Sequence, residues 1–143
     1  MFGLIGAIIS GISMSLQGVF NTRLSEKIGT WETNTFVQAT GLILSLIILF
    51  FFKDGTFKEI KSTNKLYLLG GVLGVIITFT VMLSMKSLGV TVGTAVILVA
   101  QISASDLIDA FGLFGTEKVP FSFHEILGIA IMIAGIVLFK WKF

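Results

Sequence analysis

Residues 33–52 read T-N-T-F-V-Q-A-T-G-L-I-L-S-L-I-I-L-F-F-F, and this run contains no charged side chain. Its length matches the roughly 20 residues that an α-helix needs to cross about 30 Å of hydrocarbon. Backbone polar groups cannot stay unpaired in lipid, so the run predicts a helix that satisfies its own hydrogen bonds. The alternation of period two that marks a membrane β-barrel is not visible in the sequence.

On either side of this run, charged residues divide the 143-residue chain into further apolar segments. The predicted spans are approximately residues 2–21, 33–52, 66–85, 91–114 and 123–139. Each is close to the length that crosses a bilayer. We therefore predict an all-α integral membrane protein with five transmembrane helices, forming a single transmembrane domain over residues 1–143.

The composition supports lipid as a partner and excludes several other classes of function. Hydrophobic residues make up 55% of the chain and charged residues only 13%, which is too little charge for the surface of a soluble domain. Cysteine is absent and there is one histidine, so thiol chemistry and His-rich or Cys-based metal sites are not expected. Motifs for a nucleophile elbow, a phosphate-binding loop or a zinc protease are also missing. We predict no enzyme activity and no cofactor or metal.

The basic isoelectric point does not indicate nucleic-acid binding. The formal net charge is only +2, and the lysines lie at the ends of apolar runs, where membrane proteins anchor their helices. No Lys or Arg precedes the first apolar run at Phe2, so a cleavable signal peptide is not predicted.

The segment boundaries carry the residues expected at a membrane surface. Ser122 and Glu125 have the spacing of a capping box at the start of the fifth span. Aromatic residues predicted to lie at the interface are Trp31, Tyr67 and Trp141. Small residues that would permit close helix contacts recur at four-residue spacing, as Gly70 with Gly74, Gly89 with Gly93, and Ala130 with Ala134.

The distribution of positive charge gives no preferred orientation. With five spans, one side of the membrane receives five basic residues: Lys53, Lys58, Lys61, Lys65 and Lys118. The other side also receives five: Arg23, Lys27, Lys86, Lys140 and Lys142. Because an excess of Lys and Arg normally marks the cytoplasmic side, this balance predicts insertion in both orientations. Insertion one way only, directed by hydrophobicity or by the first helix, is the alternative.

Copies in opposite orientations would pair as an antiparallel homodimer. Such a pair has ten helices related by a two-fold axis in the membrane plane, which is the inverted-repeat arrangement of many secondary transporters. A second, oppositely oriented paralogue as the partner stays open as an alternative.

The chain resembles the small five-span branch of the drug/metabolite transporter superfamily, the YdcZ-like proteins. The resemblance rests on Gln17, Asn21 and Leu24 in Q-G-V-F-N-T-R-L, on Gln101, on I-D-A-F-G-L-F-G at 108–115, and on Gly128 and Gly135. It implies a ten-helix assembly of two inverted five-helix units that transports small molecules. The four-span multidrug-resistance relatives carry a membrane-embedded Glu in the first helix. Here the middle of the first span reads S-G-I-S-M-S, without an acid, so an acid with a comparable role would come from the fourth span.

Two stripes of polar residues are the candidate substrate site. At about 100° per residue, Ser13, Gln17 and Asn21 share one face of the first span within roughly 80°. Gln101, Ser105 and Asp109 share a face of the fourth span in the same way, with Asp106 at its edge. Polar side chains in a bilayer are costly and usually face the protein interior, so both stripes are predicted to line one cavity.

The alternative for most of these residues is a structural role in hydrogen bonds between helices. For Asp109 it is a hydrated position at the interface, paired with Lys118. His124 is expected to be an exposed loop or cap residue.

The sequence therefore predicts a dual-topology secondary transporter in the cell membrane, with the bacterial inner membrane as the expected location. The substrate would be a small organic solute, and two acids per copy favour a cation and suggest coupling to protons. A passive dual-topology channel and a non-transporting accessory subunit are the alternatives.

Overall fold

The computed structural model describes residues 2–140, and every regular element in this range is helical. The α-helices are α1 (Phe2–Ile28), α2 (Thr30–Phe51), α3 (Gly70–Leu88), α4 (Val90–Phe111) and α5 (Phe123–Lys140). Short 3-10 helices cover Phe57–Lys61, Lys65–Leu69 and Leu113–Gly115.

Five helices in this range are long and apolar enough to cross a membrane, the third of them counted from Lys65 to Leu88. This confirms the predicted number of spans. Two predicted features, the interfacial Trp141 and the basic Lys142, lie outside the described residues.

The first helix is longer than the apolar pattern indicates. It continues past the predicted end at Asn21 as far as Ile28. Arg23 and Glu26 lie in this extension and form an exposed ion pair with 3.2 Å between Nη1 and Oε2. Charged side chains end an apolar segment but are good helix formers, so they mark the edge of the lipid rather than the end of the helix.

Successive helices are joined by single glycines at two places. We call residues 25–34 the first corner, centred on Gly29 between α1 and α2, and residues 85–94 the second corner, centred on Gly89 between α3 and α4. The backbone angles are φ 101°, ψ 159° at Gly29 and φ 81°, ψ 166° at Gly89. Only glycine adopts this region readily, so the connection needs one residue instead of the longer loop predicted for residues 22–32.

The chain forms two compact units, one ending at Leu83 and the other beginning at Ser84. In the first unit α1 packs against α2, and hydrogen bonds join α2 to α3. In the second unit α4 packs against α5. The predicted capping box begins α5, because Glu125 Oε2 accepts a hydrogen bond of 2.7 Å from the Ser122 backbone N–H.

Burial within the chain is sparse. Among the described residues, the large side chains that are fully buried are Met82, Asn34 and Thr33. In each span, at most 6% of the residues in the apolar 18-residue stretch are buried within the protein. Lipid is as apolar as these helix faces and does not drive them together. The exposed apolar side chains are therefore suited to contact acyl chains of the bilayer.

Candidate functional site

The predicted stripe on α1 changes its environment along the helix. Ser13 and Gln17 are exposed, whereas Asn21 is buried to 8% relative exposure. None of these side chains has a hydrogen-bond partner among residues 2–140. An amide on a membrane helix needs such partners, because lipid supplies none. Gln17 in particular must find its partner in water, in a solute or in another chain.

Next to Asn21 lies a buried polar cluster that the sequence analysis did not select. Its other members are Thr22, Ser25, Thr33 and Asn34, all of which surround the first corner. The three hydroxyl groups donate to carbonyl oxygens of their own turns, at 2.7 Å to Gly18, 2.8 Å to Thr22 and 2.8 Å to Gly29. The available sequence signal was the recurrence of Ser, Thr and Asn on both sides of Gly29, between charged and apolar residues.

Asn34 links this cluster to α3. Its Nδ2 donates a hydrogen bond of 2.9 Å to the Val75 carbonyl oxygen. Its Oδ1 is buried without a partner among the described residues. One turn further along α2, Gln38 Nε2 lies 3.4 Å from Thr78 Oγ1. This pair of amides at four-residue spacing forms a polar seam between α2 and α3 within the first unit.

An aromatic contact closes the outer end of the same seam. Trp31 stacks on Phe79 with ring centroids 4.4 Å apart and an interplanar angle of 23°. Trp31 is nevertheless 61% exposed. One face of the indole is therefore covered by protein and the remainder is exposed, and the position of Trp31 at the membrane interface stays a prediction.

On α4 the predicted stripe lies on the exposed side of the helix. Gln101, Ser105 and Asp109 are exposed, and their side chains have no hydrogen-bond partner in the described part of the chain. Asp109 and Lys118 do not form an ion pair there, since the ion pair found within residues 2–140 is that of Arg23 with Glu26.

Asp106 has a different environment from the rest of the stripe. It is half-buried, and its Oδ2 atom is enclosed without a partner among residues 2–140. The sequence places Asp106 at the edge of the stripe, and the structure turns it toward the interior of the second unit. The two acids of α4 therefore differ in kind, because Asp109 is accessible and Asp106 is enclosed.

The run I-D-A-F-G-L-F-G ends α4. Gly112 adopts a left-handed conformation with φ 62° and ψ 40°, and its N–H donates to the carbonyl oxygens of Asp109 and Ile108. The Asp109 carbonyl also accepts from the Val119 N–H at 3.0 Å. The helix therefore stops at Phe111 instead of the predicted Phe114, and Asp109 lies in its last turn.

The remaining titratable residues do not add a metal site to this picture. Residues 2–140 contain no group of three or more His, Asp or Glu side chains placed to hold a metal ion. His124 is exposed at the start of α5, with its Nδ1 atom 3.4 Å from Ser122 Oγ. Its position matches the cap or loop role expected from the sequence.

Comparison with protein families gives a match over nearly the whole chain. The model of a family described as "Putative inner membrane exporter, YdcZ" matches residues 2–138, which is nearly the whole chain. No curated protein and no solved structure matches the sequence.

Proposed function

The chain belongs to the YdcZ family of inner membrane exporters, and from this premise we propose that it is a dual-topology secondary transporter for a small organic solute. It is a multi-pass protein of the cell inner membrane. In the proposed assembly, two copies insert in opposite orientations and pair antiparallel around one cavity. The cavity opens alternately to the two sides of the membrane.

The polar face of α4 is the observation that carries the proposal. Gln101, Ser105 and Asp109 lie in a helix that is apolar enough to span a membrane, yet they have no partner among residues 2–140. Asp109 lies in the last turn of α4, so its cost is below the roughly 2.5–3.5 kcal/mol that insertion assays give for an Asp at the centre of a membrane helix. A water-filled cavity shared with a second copy would remove most of this cost.

The polar residues of α1 supply the other half of the proposed cavity lining. Gln17 can both donate to and accept from a solute, and Ser13 lies one turn before it on the same face. Asn21 would form the end of this lining, where α1 enters the buried polar cluster. In an antiparallel pair, each of these residues would occur twice about the two-fold axis.

Proton coupling is proposed to run through Asp109, with Asp106 as its partner. A protonated Asp109 is neutral, and an arriving cation would take the place of the proton on the carboxylate. The proton leaves to the side on which the cavity is then open, and another proton binds when the cation has left on the opposite side. One proton moves for each positive charge exchanged, so the site never holds an uncompensated charge.

Reconstituted transport tests the role of the acids. Purified protein in liposomes is screened with candidate organic cations under a proton gradient, and charge movement is recorded on a solid-supported membrane. Asp109→Asn should abolish coupled transport in a folded dimer, and Asp106→Asn should reduce it less. Glu117→Gln, in the loop after α4, is the matched control and should transport normally. Normal proton-coupled transport by Asp109→Asn would refute the site.

The same assay distinguishes a transporter from a channel and from an accessory subunit. Saturable, gradient-coupled exchange supports a transporter. Flux that is too fast for alternating access and independent of any coupling ion would indicate a channel. An accessory subunit would give no flux in purified liposomes.

Topology is tested separately, because the natural sequence contains no cysteine. Single cysteines at Ser62, between α2 and α3, and at the C-terminus should each be labelled in part from both sides of the membrane. Labelling of each site from one side only would contradict dual topology. Adding three lysines to one side should then bias insertion, as the positive-inside rule requires.

A further inference from the structure

A cleft outside the polar stripes lies where α2 reaches the membrane surface. Its volume is about 510 Å³, within the roughly 300–1,000 Å³ range of ligand sites. It lies between the last two turns of α2 and the 3-10 helix Phe57–Lys61. Because residues 33–52 are uncharged and Lys53 follows directly, the cleft straddles the boundary between hydrocarbon and headgroups.

The lining of the cleft has an apolar part and a charged part. Leu46, Leu49 and Phe50 line it from α2, and Phe57 lines it from the 3-10 helix. Its charged lining residues are Lys53 and Asp54, in the turn between these elements. An apolar wall next to one positive and one negative side chain at a membrane surface matches an amphipathic molecule with a zwitterionic head.

Both charged groups are available to a ligand. Neither Lys53 nor Asp54 forms an ion pair or a side-chain hydrogen bond with another residue in the range 2–140. The 3-10 helix that follows them is capped, because Thr56 Oγ1 accepts a hydrogen bond from the Lys58 N–H at 3.3 Å. The phenylalanine rings beside the cleft are widely exposed, at 83% for Phe50 and 68% for Phe57.

We propose that this cleft binds a phospholipid whose headgroup carries a primary ammonium, as phosphatidylethanolamine does. The phosphate pairs with the Lys53 ammonium, and the headgroup ammonium donates hydrogen bonds to the Asp54 carboxylate. The first part of an acyl chain lies along Leu46, Leu49 and Phe50. An anionic phospholipid fits less well, because its net negative charge faces Asp54 without compensation.

Native mass spectrometry of the whole protein with added lipids of matched acyl chains tests this proposal. The wild type should bind phosphatidylethanolamine about threefold to fivefold more tightly than phosphatidylcholine, the size of one exposed charged contact. The trimethylated ammonium of phosphatidylcholine has no N–H group to donate to Asp54. Tighter binding of phosphatidylglycerol than of phosphatidylethanolamine by the wild type would overturn the assignment in favour of an anionic lipid.

Two substitutions separate the roles of the charged pair. Lys53→Gln should weaken the binding of all three lipids, because all three share the phosphate. Asp54→Asn should weaken phosphatidylethanolamine most, bringing its affinity close to that of phosphatidylcholine, and it should not weaken phosphatidylglycerol. Lys58→Gln and Glu59→Gln remove an adjacent pair of charges that does not line the cleft, and they should leave binding within about twofold of wild type. Unchanged phosphatidylethanolamine binding by Asp54→Asn would refute the site.

Discussion

The two glycine corners share a backbone conformation and hydrogen-bond pattern but have different neighbouring side chains. At each corner the glycine N–H donates to the carbonyl four residues earlier, at 3.1 Å from Gly29 to Ser25 and 3.1 Å from Gly89 to Met85. Each glycine carbonyl then accepts from the N–H four residues later. At both corners one glycine therefore ends one helix and begins the next, without a loop between them.

The positions four residues before and after each glycine are buried at both corners. They are Ser25 and Thr33 at the first corner, and Met85 and Gly93 at the second. The first pair is held by hydroxyl groups that bond to backbone carbonyls. The second relies on close approach, because Gly93 lies against the backbone of Met85. The corner geometry thus determines which positions are buried, whereas the residues at these positions differ: Ser and Thr at the first corner, and Met and Gly at the second.

The position five residues after each glycine repeats as well. Asn34 Oδ1 and Thr94 Oγ1 are both buried without a partner among residues 2–140. Asn34 also holds α3 through its amide group, at 2.9 Å from the Val75 carbonyl, whereas no such bond is found for Thr94. Substitutions at matched positions of the two corners can therefore separate the backbone contribution from the side-chain contribution.

The largest effect is expected from Gly93→Leu. A Cβ atom at Gly93 would lie 3.2 Å from Ser84 Oγ and 3.5 Å from the Met85 backbone. We therefore expect the larger side chain of leucine to push these neighbours apart. We expect the free energy of unfolding to fall by about 3 kcal/mol, at the upper end of typical costs of overpacking. The measurement is loss of helicity by circular dichroism during titration with sodium dodecyl sulfate.

Gly128→Leu on α5 is the matched control for that substitution. No atom lies within 4 Å of a Cβ built at Gly128, so no clash is expected. The better helix propensity of leucine should leave the free energy of unfolding unchanged or raise it by up to about 1 kcal/mol. Similar costs for the two leucines would mean that close packing does not hold the second corner.

The next largest loss in the free energy of unfolding is expected from alanine at the two corner glycines, and we compare Gly29→Ala with Gly89→Ala. Both alanines must adopt backbone φ and ψ angles that are essentially restricted to glycine, and this strain should lower the free energy of unfolding by about 1–3 kcal/mol each. Only at Gly29 would the added methyl group also overlap the carboxylate of Glu32. The Glu32 carboxylate ends an exposed side chain that can move aside, so we expect Gly29→Ala to lower the free energy of unfolding only slightly more than Gly89→Ala, measured by the same titration.

A Glu32→Ala background should remove this difference, because it removes the overlapping carboxylate and leaves the backbone strain. Gly11→Ala, in the open interior of α1, should instead stabilise the helix by about 0.5–1 kcal/mol. An excess cost at Gly29 that persists without Glu32 would contradict this explanation.

In the third comparison, the change in the free energy of unfolding should differ in sign between the two corners. Asn34→Leu keeps the branching of the side chain but is larger, and it removes the bond to Val75. It should therefore lower the free energy of unfolding by at least about 0.6–1.7 kcal/mol, the mean and the maximum for side-chain hydrogen bonds measured in a membrane protein. Thr94→Val removes a buried oxygen that has no partner and should be neutral or stabilise by about 0.5 kcal/mol. Destabilisation by Thr94→Val would reveal a partner for its hydroxyl outside the chain.

The sequence predicts the spans well, because lipid imposes one simple requirement on about 20 successive residues. It predicts the helix ends less well. Arg23 and Glu26 mark the end of the apolar run, but α1 continues through them to Ile28. Gly29 and Gly89 occur in short charged or polar stretches typical of loops, and only their positive φ angles identify them as single-residue corners.

The polar residues divide in a similar way. Helical periodicity finds the stripe of Gln101, Ser105 and Asp109, because a shared face follows from spacing alone. It does not find the bond from Asn34 to Val75, which joins residues 41 positions apart. The enclosed position of Asp106 also depends on packing in the second unit, which spacing along one helix does not specify.

The smallest effect is expected from Thr33→Val, at the position of the first corner that corresponds to Gly93 of the second. Thr33 is fully buried and its hydroxyl donates to the Gly29 carbonyl at 2.8 Å. That carbonyl keeps its bond from the Thr33 N–H at 3.2 Å, and valine has nearly the same shape, so we expect a loss of no more than about 0.5 kcal/mol in the same titration. The corresponding positions would then give the smallest and largest effects, because a methyl group replaces a hydroxyl at one and a backbone contact is broken at the other. If Thr33→Val costs as much as Asn34→Leu, the hydroxyl groups around Gly29 act as a connected network, and polar bonding rather than backbone geometry holds the first corner.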